Sequence, residues 1–402
     1  MSVLNQSVPQ GLAPEQHGLK AHSDGGWDAA GGHVVPVQSR AERFASNDPT
    51  THPEVTGHEV EWKQAPVALF RHLIDGELDG SAYAYTSTQS DGAMVEWVPP
   101  TDKRIGTAGT AEEKSSANAW ASIEHALAIT VSGDEPLQVT VNRSTLGDAP
   151  RGAHTIITAE HGSTGLVVLQ GTGKANLSEN VEIIVEDDAH LVVVTVQEWA
   201  PDATHLATHF ATVGRNASLR HVVVSLGGKV VRMIPSVHLV GEGADTEMYG
   251  VYFADAGQHL EQRPYLHHNG ANTRGRVNYK GALQGKGAHT VWVGDVLIGP
   301  NAAGTDSYEQ NRNLVLSEGT RADSIPNLEI ETGDILGAGH ASATGRFDDE
   351  QLFYLQARGI TEDEARRLVV LGFLTEIIQK IGNTPIEEHL LAAVEAELRG
   401  IQ

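Results

Sequence analysis

The sequence predicts a mainly β protein, a coiled parallel β-solenoid set between an N-terminal and a C-terminal helical region. Three observations predict it. From Leu137 to about Ile335, short β-branched runs recur ("LQVTV", "HTIITA", "VEIIVE", "HLVVVTV", "RHVVVSL"), separated by polar, Gly-containing breaks. Helical periodicity nearly vanishes across that stretch and returns after it. A small turn-like unit also repeats there, as "EDDAHL", "GRNASL", "GEGADT", "HNGANT" and "GKGAHT". Its alanines, Ala189, Ala217, Ala244, Ala271 and Ala288, are 28, 27, 27 and 17 residues apart. A turn of fixed character at such spacing, with two or three short strands between, marks stacked coils that bury their apolar residues only against each other. A β-sandwich would show turn signals every 8 to 12 residues or so and a cleaner alternation.

Residues 1–36 are rich in Gly, Ser, Pro, Gln and His, lack periodicity, and are expected to be a disordered tail. Residues 37–130 are expected to form an N-terminal helical region. In "EWKQAPVALFRHLIDG", Trp62, Val67, Leu69, Phe70 and Leu73 are spaced for a helix that ends at Gly76. In "TAEEKSSANAWASIEHALAI", Ala119, Ile123, Ala126 and Leu127 fit a last helix before the solenoid, which takes residues 131–345. Residues 346–402 form a C-terminal helical domain. "FDDEQLFYLQARG" ends at Gly359, and "TEDEARRLVVLGFLTEIIQKIG" opens with a Thr361/Glu364 capping box. "TPIEEHLLAAVEAELRG" makes a further helix. This unit is expected to pack on the last coil.

Composition excludes several functions. The 402 residues carry a net charge of −24, which argues against a broad nucleic-acid-binding face, because phosphates demand clustered Lys and Arg. No stretch approaches the roughly 18 apolar residues of a spanning helix, and the N-terminus does not read as a signal peptide, so no membrane role and a cytoplasmic address are expected. There is no cysteine, which removes disulfides, thiolate nucleophiles and thiolate metal ligands from this chain.

Motifs for self-contained catalysis are also missing. "HLATH" spaces His205 and His209 at i, i+4 but lies among β runs and lacks the Glu of a metalloprotease motif. The adjacent His267 and His268 point to opposite faces of a strand. No phosphate-cradling loop or nucleophile elbow occurs. The acidic pairs at 187–188 and 348–349 are explained by turn and helix-cap roles. A polar solenoid between helical ends suggests an assembly component, not an enzyme.

The segment from Tyr279 to Ile381 strongly resembles the SufB/SufD family of iron–sulfur cluster assembly proteins. The pieces that carry the resemblance are "QNRNLVLS", "PNLEI", the H-x-x-x-x-G run from His340, "LFYLQARGI" and "GFLTEII". Within the family, "HASAT" resembles the SufD branch more than the SufB branch, which has "HEAT" there. The resemblance implies a right-handed parallel β-helix between N- and C-terminal helical domains. It implies pairing with SufB through the β-helix, and binding of the SufC ATPase through the C-terminal helices, where Leu352, Phe353, Arg358, Arg366, Arg367 and Phe373 are the candidate docking residues. It further implies that His340 is an iron or cluster ligand at the partner interface. No permanent cofactor is implied, only transient iron or a nascent iron–sulfur cluster shared with SufB. The family's cysteine two residues before this histidine is Ala338 here, so sulfur chemistry falls to the partner. Gly337, Gly339 and Ala341 are expected to leave the imidazole uncrowded, at an exposed edge following the last β run. Two readings compete: a SufB-like subunit, against which the missing thiol speaks, and a polysaccharide-active β-helix enzyme, for which no convergent Asp/Lys/Arg set is present. An isolated chain could also form a homodimer.

Overall fold

Each β-branched run pairs in parallel with the run one coil later, as a computed structural model of the chain shows. It describes residues 43–399 apart from 145, 347 and 348; the expected tail, 1–36, lies outside the described residues. Before the coils come α1 (Val67–Asp75), β1 (Thr86–Gln89), β2 (Met94–Val98) and α2 (Lys114–Ser122). The coils contain β3 (Ala126–Val131), β4 (Leu137–Arg143), β5 (Arg151–Ala159), β6 (Thr164–Gly173), β7 (Asn176–Val185), β8 (His190–Trp199), β9 (Thr204–Val213) and β10 (Ser218–Ser225). They continue with β11 (Val230–Leu239), β12 (Asp245–Ala254), β13 (His259–Gln262), β14 (Tyr265–His268), β15 (Arg274–Leu283), β16 (His289–Ile298), β17 (Thr305–Val315), β18 (Arg321–Ile330) and β19 (Ile335–Arg346). Helices α3 (Asp349–Gln356), α4 (Glu362–Ile378) and α5 (Thr384–Arg399) follow.

The strands form a solenoid of about eight turns with two sheets. One sheet runs β1-β4-β6-β8-β10-β12-β15-β17-β19; the other runs from β2 and β3 through the odd strands β5 to β11, then β14, β16 and β13, with β18 on β16. Side chains from both sheets meet inside in one continuous apolar core, from Leu127 and Val139 to Trp292 and Ile298.

The corner before β8, β10 and β12 explains part of the repeat. Ala189, Ala217 and Ala244 stack there, fully buried, one rung above the next. Each follows a residue of left-handed backbone (Asp188, Asn216 and Gly243, φ +60, +53 and +71), a conformation suited to Gly, Asn and Asp. Ala271 and Ala288 do not belong to this ladder. The next rung is Thr273 after the left-handed Asn272, because Arg274 pairs with Asp245. Ala288 stands before β16, at a corner of the other sheet. The repeated unit thus merges two corners of similar chemistry.

Ala126 and Leu127, expected on a helix, lie in β3. Helix α2 stops at Ser122, and "ALAITV" turns Leu127, Ile129 and Val131 inward and Ala126 and Ala128 outward, all buried. Burial on two faces, together with β-branched Ile129, Thr130 and Val131, favours the strand. The segment 37–130 therefore contains three strands besides its helices, and parallel pairing starts at Leu127, before residue 131.

The outward faces need cover too. On one sheet, Val194, Val222, Val224, Tyr249, Val251 and Phe253 point out and are buried by Val370, Leu374, Ile377 and Ile378 of α4 and Leu390 and Val394 of α5. The C-terminal helices thus pack along the flank of the solenoid, where the apolar surface is, and reach its last coil at Leu314 and Leu316. On the opposite sheet, Phe70, Leu73 and Ile74 of α1 pack with Trp62, Leu206 and Val230. No helix among the described residues is long and apolar enough to cross a membrane.

Candidate site at the open end of the solenoid

His340 lies in the middle of β19, so the β run continues past "PNLEIETGDIL" to Arg346. Among the described residues, the ladder of β19 is made with β17 alone, which leaves its other edge free. Strand alternation puts Ala338, His340 and Ser342 on the inward face, since Ala338 packs on the core and Ser342 Oγ meets Ser324 Oγ at 2.7 Å. Gly337, Gly339 and Ala341 face the other way and do not flank the imidazole. What leaves His340 uncrowded is the end of the solenoid itself, and its side chain is 46% exposed.

The residue beneath it is Glu309, paired in register with His340 on β17. Glu309 is fully buried, and among the described residues neither carboxyl oxygen has a hydrogen-bond partner. Its Oε1 is 3.7 Å from His340 Nδ1. Gly294 makes room for it, because a Cβ there would collide with Glu309 Oε2 and the Trp292 ring. Burial, with the negative charge of Asp295 adding, pushes the Glu309 carboxyl up to about 8. The neighbouring inward positions are also polar. Asn311 Nδ2 donates to Tyr252 Oη at 2.7 Å, and Asn313 Nδ2 donates to Asn311 Oδ1 at 2.8 Å.

Glu309 carries no signal in the sequence, although it directly precedes "QNRNLVLS". Every residue from Asp306 to Asn313 is polar or aromatic, so no apolar alternation marks which ones face inward.

The interior histidines sit elsewhere. His205 and His209, both on β9, share the inward face but not a ligand. His205 Nε2 is 2.7 Å from Glu179 Oε1, and His209 Nδ1 is 2.9 Å from His221 Nε2. Burial alone would raise the pKa of Glu179, but Arg143 at 2.5 Å and His205 hold it well below the carboxylate range. Burial lowers His209 to about 4 and keeps His221 well below its ordinary value. His267 and His268 point to opposite faces as expected, with only His268 fully buried. Among the described residues, no group of three or more His, Asp or Glu side chains is arranged to hold a metal ion.

The candidate docking residues divide. Phe353 is 72% exposed, and Arg358 lies over the Tyr354 ring, 4.4 Å from its centroid. Arg366 pairs with Glu362 at 2.8 Å on the helix surface, whereas Arg367 pairs with Glu364 at 2.6 Å and also with Glu395 of α5, which ties α4 to α5. Leu352 is instead buried against Ala365. Phe373 is turned toward the solenoid, with Lys280 Nζ 4.7 Å from its ring centroid, so these two hold α3 and α4 in place.

Fold and site together define a helix-flanked parallel solenoid with a polar, histidine-bearing last coil. Comparison with known proteins takes this further. Residues 143–373 match the family model described as SUF system FeS cluster assembly, SufBD core domain. An iron–sulfur cluster assembly SufBD family protein of Mycobacterium bovis is 46% identical over 373 residues, covering 90% of this chain and 94% of that protein. One of Mycobacterium leprae is 45% identical, covering 92% and 97%. One of Staphylococcus haemolyticus is 31% identical, covering 62% and 54%. The chain belongs to the SufBD family of iron–sulfur cluster assembly proteins.

Proposed function

We propose that this chain is a SufD-type scaffold subunit of a Suf assembly complex, with no catalytic activity of its own. In this reading it works in the cytoplasm, pairs with SufB through the open end of the solenoid, and docks the SufC ATPase through the exposed side of its C-terminal helices. His340 supplies a ligand to iron or a nascent cluster at the joint. Iron and sulfide are cargo, held transiently and shared with SufB.

The observation that carries the reading is β19. It is twelve residues long, ends in its single Lys or Arg, Arg346, and among the described residues is hydrogen-bonded along one edge only. A long edge strand with so little charge invites pairing with another chain. Leu336, 81% exposed, and the exposed Ile330 and Tyr308 add apolar surface at the same end. The absence of cysteine favours a SufD role over a SufB role, because the sulfur-carrying thiol must then come from the partner. Neutral imidazole is a suitable iron ligand beside thiolate and carboxylate. Phe353, Tyr354 and Leu368 are exposed on α3 and α4, which supports a docking role for those helices.

The test is His340→Ala in the complex co-purified with SufB and SufC. The complex should assemble and melt as wild type, since a half-exposed side chain here should cost no more than about 0.5 kcal/mol. Iron and sulfide content after reconstitution should fall at least about tenfold. Wild-type cluster content would remove His340 from the function. Loss of SufB binding with a lowered melting temperature would make it structural.

A further inference from the structure

The structure assigns Glu309 a role that resemblance does not give it: Glu309 Oε1 and His340 Nδ1 form a two-ligand seat for a divalent iron ion, whose remaining positions are filled from outside this chain. This inference rests on the scaffold reading above and names the chain's own part of the iron site.

Three observations lead there. A fully buried carboxyl group with no hydrogen-bond partner on either oxygen among the described residues is an exception in folded proteins, where buried polar groups are paired or coordinate metals. Glu309 is thus built for something absent from its own fold. The separation of 3.7 Å is too long for a hydrogen bond from Nδ1 to Oε1. It does suit one ion between them, because metal–nitrogen and metal–oxygen bonds of about 2.1 Å would then subtend an angle of about 120°. Finally, the pocket is shaped for the carboxylate: Gly294, on the facing sheet, is the residue whose side chain would otherwise fill the place of Oε2.

Position supports the same reading. Both ligands face the interior of the last coil, Glu309 deep and His340 half exposed, so an ion entering from the open end meets the imidazole first and the carboxylate beneath it. Two protein ligands leave an iron ion unsaturated. That suits cargo passed on at an interface, whereas a resident structural metal would take a closed set. A carboxylate and an imidazole are also a normal donor pair for a divalent first-row ion.

The experiment is an anaerobic titration of the full chain with Co(II), a visible-spectrum probe of His and carboxylate ligation, repeated with Fe(II) in competition. The wild-type chain should bind about one equivalent with a Kd below about 1 mM. Glu309→Gln, which keeps size and polarity but weakens the donor, should raise the Kd at least tenfold, as should His340→Ala. Glu309→Asp, which keeps the carboxyl group but withdraws the oxygen, should also weaken binding. Melting curves of all variants should stay close to wild type. Unchanged Co(II) binding by Glu309→Gln alongside a loss in His340→Ala would overturn the role of Glu309. So would a Glu309→Asp chain that binds as wild type, or a wild-type chain that binds nothing in this range. The scaffold reading is judged separately: if the His340→Ala complex builds clusters normally, that reading fails whatever the titration gives.

Discussion

At the N-terminal end of the solenoid the chain turns back on itself: β1 and β2, four and five residues long, pair antiparallel with β4 and β3. At the C-terminal end β18 and β19, ten and twelve residues long, run parallel to their neighbours like every coil before them. The difference matters because antiparallel reversal changes the hydrogen-bond pattern that a next coil would need. Short reversed strands therefore stop growth, whereas long parallel ones offer the same row of N–H and C=O groups again. The interiors differ as well. Apolar rungs such as Val139, Val167 and Val193 fill the early coils, and polar Ser307, Glu309, Asn311 and Asn313 fill the inward face near the open end. One end is finished by its own chain; in the proposed function, the other is prepared for a second.

The contrast can be broken or sharpened by substitution. The largest effect is expected deep in the closed part. Arg143→Met leaves Glu179 buried beside His205 without its guanidinium, and urea unfolding should show a loss of about 3–5 kcal/mol. If stability is unchanged, Glu179 is not held by Arg143.

A smaller effect is expected from acid. His209 and His221 are neutral in the fold and take up protons near pH 6.5 once unfolded, so the unfolded state binds more protons below that value. Their contribution is present above pH 6.5 and is lost as pH falls toward 4; at pH 5 the loss for His209 alone is roughly 2 kcal/mol. Melting temperature should fall steadily from pH 7 to 5, and less steeply in a His209→Asn, His221→Asn variant. An equally steep fall in that variant would place the titrating groups elsewhere.

The smallest change in stability is expected at the open end. Leu336→Lys, at an exposed position, should shift stability by no more than about 0.5 kcal/mol. It should nevertheless weaken pairing with a partner measured by ultracentrifugation, since charge on an edge strand opposes strand addition. Pairing at wild-type strength would move the joint away from Leu336.

Much of this was legible in the sequence, for physical reasons. Runs such as "HLVVVTV" are buried on both faces and could hardly be anything but central strands. Ala189, Ala217 and Ala244 were found as a ladder because small buried residues after a left-handed turn residue leave a fixed signature. Ala271 and Ala288 carried the same local chemistry at other rungs and corners, and sequence alone does not separate corners. Ala126 and Leu127 fit both helical and two-sided strand spacing. The seat of the C-terminal helices was hidden for a different reason: an apolar stripe says that a helix is covered, not what covers it. Among the site residues, the family motif singled out His340. Glu309 could not be read, since its meaning comes from the register that sets it under His340 and from the missing side chain of Gly294.

The central claim is that the C-terminal edge is the end built to be continued. Hydrogen–deuterium exchange of the backbone amides, compared between the isolated chain and its complex with the proposed SufB partner, tests it most directly. Amides of Ile335–Arg346 should gain strong protection on complex formation, while those of Thr86–Gln89 and Met94–Val98 stay as they were. Protection that appears at the N-terminal strands, or β19 amides that exchange equally fast in both states, would contradict it.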